Sequence, residues 1–289
     1  MSGQVIIIGA PRSGTNMLRD VLTGLQGFAT WPCDEINFLW RHGNRGHPSD
    51  ELRRERATDE VTSFLNSQFD KISRKHGAHT VVEKTCANSL RVGFVAEAFP
   101  QAKYIFIRRD GIDAAASAMK RWNAPLDIPY TARKSRYVPL SDVGYYGWQF
   151  FSNRLRVRRR AMDADAASTG VTTWWGPRPD DYKALQAQHA LDEVCMIQWM
   201  RCVEASIAGF AALPEIQMHE LVYEEFVEQP MLHLRKILAF LGRSDMMDES
   251  AVSGVSKHSV GRGRESLGPE SVVRLEALSH ETLRRLGYA

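Results

Sequence analysis

Four β-branched residues in a row, at positions 5–8, run directly into GAPRSGTN at 9–16, and Met17, Leu18, Val21, Leu22 and Leu25 then recur at helical spacing. An apolar run without alternation is a strand buried on both faces, which implies a parallel sheet flanked by helices. The helix that follows has to fold back onto that sheet, and glycine lets the chain turn tightly between the two. Later segments repeat the scheme. Strand-like runs lie at 80–82, 104–107 and 216–221, and helical stretches at 50–75, 90–98 and 184–212. Asp110 is placed to cap a further helix that runs to about Lys120. Pro230 opens another helix ending near Gly242, the glycine- and serine-rich stretch 253–268 reads as a loop, and a last helix closes the chain. The expected fold is α/β: a P-loop-type parallel sheet with helices on both faces.

Residues 121–180 have a different character, because WNAP, RYVP, YYGWQFF, RLRVRRR and TWWGPRP crowd aromatic, proline and arginine residues together. We read 1–289 as one domain and 121–180 as an acceptor-side insertion or lid. The formal net charge of +3 is too small by itself to imply a nucleic-acid partner. The four cysteines, Cys33, Cys86, Cys195 and Cys202, contain no C-x-x-C pair, so neither a zinc site nor a redox dithiol is expected. Scattered thiols fit a reducing compartment. The opening lacks a signal peptide's basic and apolar regions, and no apolar run nears the roughly 20 residues needed to span a bilayer. The expectation is a cytoplasmic protein that does not span a membrane.

The first chemical motif is GAPRSGTN itself, set between a strand and a helix, where backbone N–H groups and a helix N-terminus hold phosphate. It departs from G-x-x-x-x-G-K-S/T at two places: Thr15 replaces the lysine, and Asn16 replaces the magnesium-binding hydroxyl. A kinase or NTPase would lose its γ-phosphate lysine and its metal ligand, while Arg12 supplies positive charge instead. The second motif is AKYIFIRRDGIDAAASAMK at 102–120. Arg109 stands at the strand end and Ser117 a little over two helical turns on, so both can converge on one phosphate at the carboxyl edge of the sheet.

Together the motifs resemble the sulfotransferases that use 3′-phosphoadenosine-5′-phosphosulfate (PAPS), in the branch that includes tyrosylprotein and many bacterial sulfotransferases. EKT at 83–85, FP at 99–100, VYEEFVEQP at 222–230, FLG at 240–242 and the Gly/Arg loop at 261–264 fit the same pattern. The resemblance implies that Arg12, Ser13, Gly14, Thr15 and Asn16 hold the 5′-phosphosulfate and that Arg109 and Ser117 hold the 3′-phosphate. It also makes Arg262 and Arg264 candidates for closing over that phosphate, and Lys84 a partner of Arg12 in stabilising charge at the reacting centre. PAPS is then a co-substrate, and no metal is expected.

The general base follows from the resemblance by elimination between two branches. Hormone-type sulfotransferases place a histidine after lysine–threonine, and here that position is Cys86. The tyrosylprotein branch uses a glutamate after the first helix, which points to Glu35, with Asp34 as its neighbour and His42 in reserve. A carboxylate near Arg12 and Lys84 stays ionised and can take the acceptor's proton. Trp122, Trp148, Trp174, Trp175, Tyr145 and Tyr146 offer aromatic faces to an acceptor, or build a small core of their own. Arg154–Arg160 reads first as an exposed helix face. The acceptor is expected to be a hydroxyl-bearing glycan or small molecule. A nucleotide-dependent kinase and a catalytically silent PAPS-binding protein are the rival readings.

Overall fold

The computed structural model describes residues 3–122, 139, 141–144, 148 and 174–289. Its sheet has five parallel strands in the order β2-β3-β1-β4-β5. They are β1 (Gly3–Ile8), β2 (Phe28–Ala29), β3 (Thr80–Lys84), β4 (Lys103–Arg108) and β5 (Gln217–Val222). The central strand explains the unbroken apolar run at 5–8. Val5 and Ile7 join one core with Val82, Ile105 and Ile107, whereas Ile6 and Ile8 join another with Val81, Tyr104 and Phe106. Successive side chains point to opposite faces, and both faces are covered, so every position is apolar.

Helices α1 (Thr15–Thr23), α2 (Asn37–Trp40), α3 (Asp59–His76), α4 (Val92–Ala98) and α5 (Gly111–Trp122) alternate with the strands. They are followed by α6 (Tyr182–Gln188), α7 (Leu191–Ala211), α8 (Tyr223–Glu228), α9 (Pro230–Leu241), α10 (Arg262–Leu267) and α11 (Pro269–Leu286). Leu18, Val21 and Leu22 of α1 pack with Leu234, Ile237 and Leu238 of α9 on one face, and Val61, Leu65 and Phe69 of α3 with Phe94 of α4 on the other. Asp110 caps α5 as expected, its carboxylate accepting from the Asp113 N–H at 3.0 Å.

Three readings of the sequence need correction. The helix expected over 184–212 is two, because His189 is extended and interrupts the ladder between α6 and α7. The stretch read as helix from 50 starts at Asp59, where Thr58 accepts from the Val61 N–H. The loop expected at 253–268 contains α10, and β2 has only two residues, too few to leave a pattern. Of the insertion's expected helices the described residues include one turn, at 141–144, while Tyr145, Tyr146 and Arg154–Arg160 lie outside them. Among the described residues no helix is long and apolar enough to cross a membrane.

Strand β1 lies between β3 and β4, so the connections leave it toward opposite edges of the sheet. Such a switch point opens a crevice at the carboxyl ends of the strands. The loop after β1, Lys84 to Cys86 at the end of β3, Arg109 after β4 and Tyr223 after β5 all sit along this edge.

Candidate active site

The loop at 9–14 is shaped by its glycines. A Cβ on Gly9 would stand 2.7 Å from the Ile107 carbonyl, so β1 and β4 can only meet over a glycine there. Gly14 has φ 86°, and a Cβ on it would strike the Tyr223 ring. Arg12 also has positive φ, at 67°, and is the one non-glycine residue so disposed among the described residues. Left-handed residues interleaved in a turn direct backbone N–H groups into a common concavity, the geometry of a phosphate nest. The Ser13 hydroxyl and the Asn16 side-chain oxygen are buried there with no hydrogen-bond partner. A buried polar group left open in a native fold calls for an explanation, and a bound anion, which would accept from the Ser13 hydroxyl, provides one for that group.

The second motif closes on the first. Arg12 Nε donates to Ser117 Oγ at 2.9 Å, and Arg109 Nη1 donates to the Arg12 carbonyl at 3.0 Å. Arg109 is buried, stacked 4.3 Å above the Tyr223 ring, and donates through Nη2 to the Ser259 carbonyl at 2.7 Å. Its Nε has no partner. Arg12, Arg109 and Ser117 therefore meet within one cluster.

The Gly/Arg loop is anchored to the same helix start. Gly261 N and Gly263 N donate to the Asp113 carboxylate at 2.7 and 2.6 Å, and a Cβ on Gly263 would strike the Ile112 carbonyl at 2.6 Å. Arg262 is exposed at the first position of α10. Arg264 goes elsewhere. Its guanidinium pairs with Asp110 at 2.9 Å and Glu276 at 3.1 Å, which hold its charge within the fold.

Across the crevice, the Lys84 ammonium donates to Glu35 Oε1 at 3.1 Å, and the Cys86 N–H donates to the same oxygen at 3.3 Å. Lys84 is 3% exposed and Glu35 27%, so the pair sits at the lip of the interior with the carboxylate outermost. Burial works to lower the Lys84 pKa, but Glu35 beside it outweighs that and leaves it above the ordinary value. The Cys86 Sγ lies 3.7 Å from Thr15 Oγ1, which brings this junction against the phosphate loop. Burial, with Glu35 adding to it, pushes the Cys86 thiol well up and keeps it neutral.

The two other base candidates are engaged differently. Asp34 points to Arg19 at 3.5 Å and is half exposed. His42 stacks on Phe64 at 3.8 Å and bonds Asp142 Oδ2 through Nδ1 at 3.0 Å. It is thus packed rather than solvated, and Arg45 joins the same Asp142 carboxylate.

The sulfotransferase family model matches residues 4–167 and 155–248. This chain belongs to the sulfotransferase family. Its fold resembles the sulfotransferase domain from the curacin biosynthetic pathway at 13% identity, over 100% of this chain and 99% of that one, with a TM-score of 0.51. A sulfotransferase from Alicyclobacillus acidocaldarius has 19% identity over 97% and 96% of the two chains, TM-score 0.47. Mouse sulfotransferase SULT7A1 complexed with PAP has 15% identity over 98% and 85%, TM-score 0.47. No curated protein matches the chain.

Within this sulfotransferase, Trp122 and Trp174 stand edge to face at 5.4 Å and pack with Tyr182, Leu185, Val194 and Ile197. These two aromatics are core. Trp148 is exposed, and Trp175 lies under Arg121 at 5.5 Å. Tyr223, Ser259 and Asp113 carry no local signal of a role at the site, although Tyr223 stands within VYEEF. Its contact with Arg109 joins strand ends far apart in the chain, and no local pattern records it.

Proposed function

We propose that this enzyme moves a sulfuryl group from PAPS to the hydroxyl of a carbohydrate or lipid-linked glycan, or else of a small phenol or alcohol. The observation that carries the mechanism is the Lys84–Glu35–Cys86 junction beside Thr15: a carboxylate held at the rim of a phosphate loop. Glu35 takes the acceptor's proton as the new O–S bond forms and the S–O bond to the 5′-phosphate breaks, leaving 3′-phosphoadenosine-5′-phosphate. Arg12 and Lys84 offset charge on the departing phosphate, an effect that depends on preorganised cations. Ser13, Gly14, Thr15 and Asn16 hold the 5′ end. Arg109 and Ser117, with Arg262 outside them, hold the 3′-phosphate.

Cys86 supports the choice of Glu35. A neutral buried thiol is no base at pH 7, and this residue instead gives its N–H to the carboxylate. The exposed aromatic face of Trp148, with the part-buried Trp175 under Arg121, suits a sugar ring. We place the enzyme in the cytoplasm, where four free cysteines remain reduced. The test is a screen of glycan, phenol and alcohol acceptors with radiolabelled PAPS, with and without a chelator. Label should appear on a hydroxyl acceptor in both conditions. Binding of PAPS with no transfer to any acceptor would favour the catalytically silent reading, and transfer abolished by the chelator would overturn the metal-independent one.

A further inference from the structure

Behind the junction lies a carboxyl group that the mechanism does not use. Glu83, in β3, is 1% exposed, and its two oxygens begin two separate chains of hydrogen bonds. Oε1 accepts from the Thr85 hydroxyl at 2.6 Å, and the Thr85 oxygen accepts from the Ile36 N–H at 3.2 Å. Oε2 accepts from the Asn88 amide at 3.0 Å. Asn88 Oδ1 accepts from Arg91 Nε and Nη2 at 3.0 and 2.9 Å, and Arg91 Nη2 donates to the Asn37 side-chain oxygen at 2.6 Å. Both chains therefore end on the two residues that follow Glu35, one on backbone and one on side chain.

The direction of these bonds requires an acceptor at their origin. Asn88 cannot turn its amide around, because its oxygen already faces Arg91, so it must donate to Glu83. Thr85 has one proton, which it gives to Glu83 while it accepts from Ile36. We propose that Glu83 is a positioning residue: its carboxylate fixes Ile36 through Thr85 and Asn37 through Asn88 and Arg91, and so holds Glu35 against Lys84 and Cys86. The inference rests on Glu35 being the base.

The charged and polar groups facing Glu83 are Lys84 from its own strand, Arg91 at the start of α4, Thr85, Asn88, and the neutral Trp40 indole of α2. Burial outweighs their pull and pushes its carboxyl up to about 7. Protonation near neutrality turns Oε1 or Oε2 into a donor, so it reverses the Thr85 bond or opposes Asn88 and loosens the chain that begins on that oxygen.

The experiment follows the Ile36 backbone amide by ¹⁵N–¹H NMR between pH 5.5 and 8.5, in the unmodified chain, in Glu83→Gln and in Thr85→Val. The Ile36 shift should titrate near pH 7 in the unmodified protein and stay flat in both variants. The rate of transfer should fall along the same curve as pH drops, and Glu83→Gln should lose at least about tenfold in kcat at pH 8 while keeping its nucleotide Kd. Thr85→Val keeps the carboxyl and breaks only the link, so it should show the same loss even if Glu83→Gln folds poorly. An Ile36 amide that does not titrate, or variants that retain full kcat, overturn the proposal. Because the amide reports without turnover, a wrong assignment of the base appears separately, as Glu35→Gln retaining its rate while Ile36 still titrates.

Discussion

Glu35→Gln isolates the charge of the proposed base from its shape. The carbonyl oxygen of glutamine can still accept from Lys84 and Cys86, so the loop keeps its hydrogen bonds. Two losses follow. The variant cannot take a proton near neutral pH, and turnover should fall by about 10²–10⁴, the usual contribution of general-base catalysis. Lys84, almost entirely buried, also loses its counterion. A hydrogen bond to a charged partner contributes about 1.5–3 kcal/mol, and because Glu35 is partly exposed the lower half of that range applies. For a chain of this size such a loss moves Tm by a few degrees. The pair's contribution is fully present at neutral pH: the Lys84 pKa is raised, so the stability it confers is lost only as pH climbs through that raised value. Nucleotide affinity should stay nearly unchanged, since the carboxylate acts on the acceptor. Single-turnover transfer from PAPS, calorimetry with 3′,5′-adenosine diphosphate and a thermal melt measure the three quantities. Turnover within a factor of a few of the unmodified enzyme refutes the assignment. A joint fall in rate and nucleotide affinity would show instead that Glu35 serves to organise Lys84.

Arg109→Ala should weaken 3′,5′-adenosine diphosphate by about 1.5–3 kcal/mol and adenosine 5′-phosphosulfate much less. Equal weakening of the two in calorimetry would mean that Arg109 only braces Arg12, Ser259 and Tyr223. The protein should bind 3′,5′-adenosine diphosphate far better than ATP with EDTA present, and tight magnesium-dependent ATP binding would contradict the phosphate-loop reading. Gly14→Ala forces a side chain into positive φ and against Tyr223, at a cost of about 1–3 kcal/mol. It should lower Tm and nucleotide affinity together, and a melt that matches the unmodified protein would show that the loop is not strained there.

The legible parts of this protein are those in which local chemistry and tertiary position agree. The run at 5–8 names a doubly covered strand because no half-exposed strand tolerates it. Arg109 and Ser117 were readable as a pair because helical pitch alone brings eight residues onto one side, and Arg12 then closes the set. The helix α10 was hidden for the opposite reason. Its glycines and serines favour a loop locally, and what fixes the turn leading into it is Asp113, 148 and 150 positions away from the N–H groups of Gly261 and Gly263. The main ion pair of Arg264 is hidden in the same way, since Asp110 reaches it from a segment 154 positions away.

The proposed base is the sharpest instance. Glu35 and Lys84 are 49 positions apart and meet only because β3 lies between β2 and β1, so no spacing rule links them. Resemblance could place a glutamate after the first helix, yet it could not say what holds that glutamate still. The answer lies in residues 83–86, a strand end whose sequence EKTC looks like one lysine with ordinary neighbours. Each of the four reaches the Glu35 segment: Lys84 and the Cys86 N–H directly, Thr85 through Ile36, and Glu83 through Thr85. Alternation along the strand hides this. Glu83 points into the interior, where a carboxylate looks misplaced until its partners are known, and such a group is retained at a cost in stability where a site must be held in one geometry.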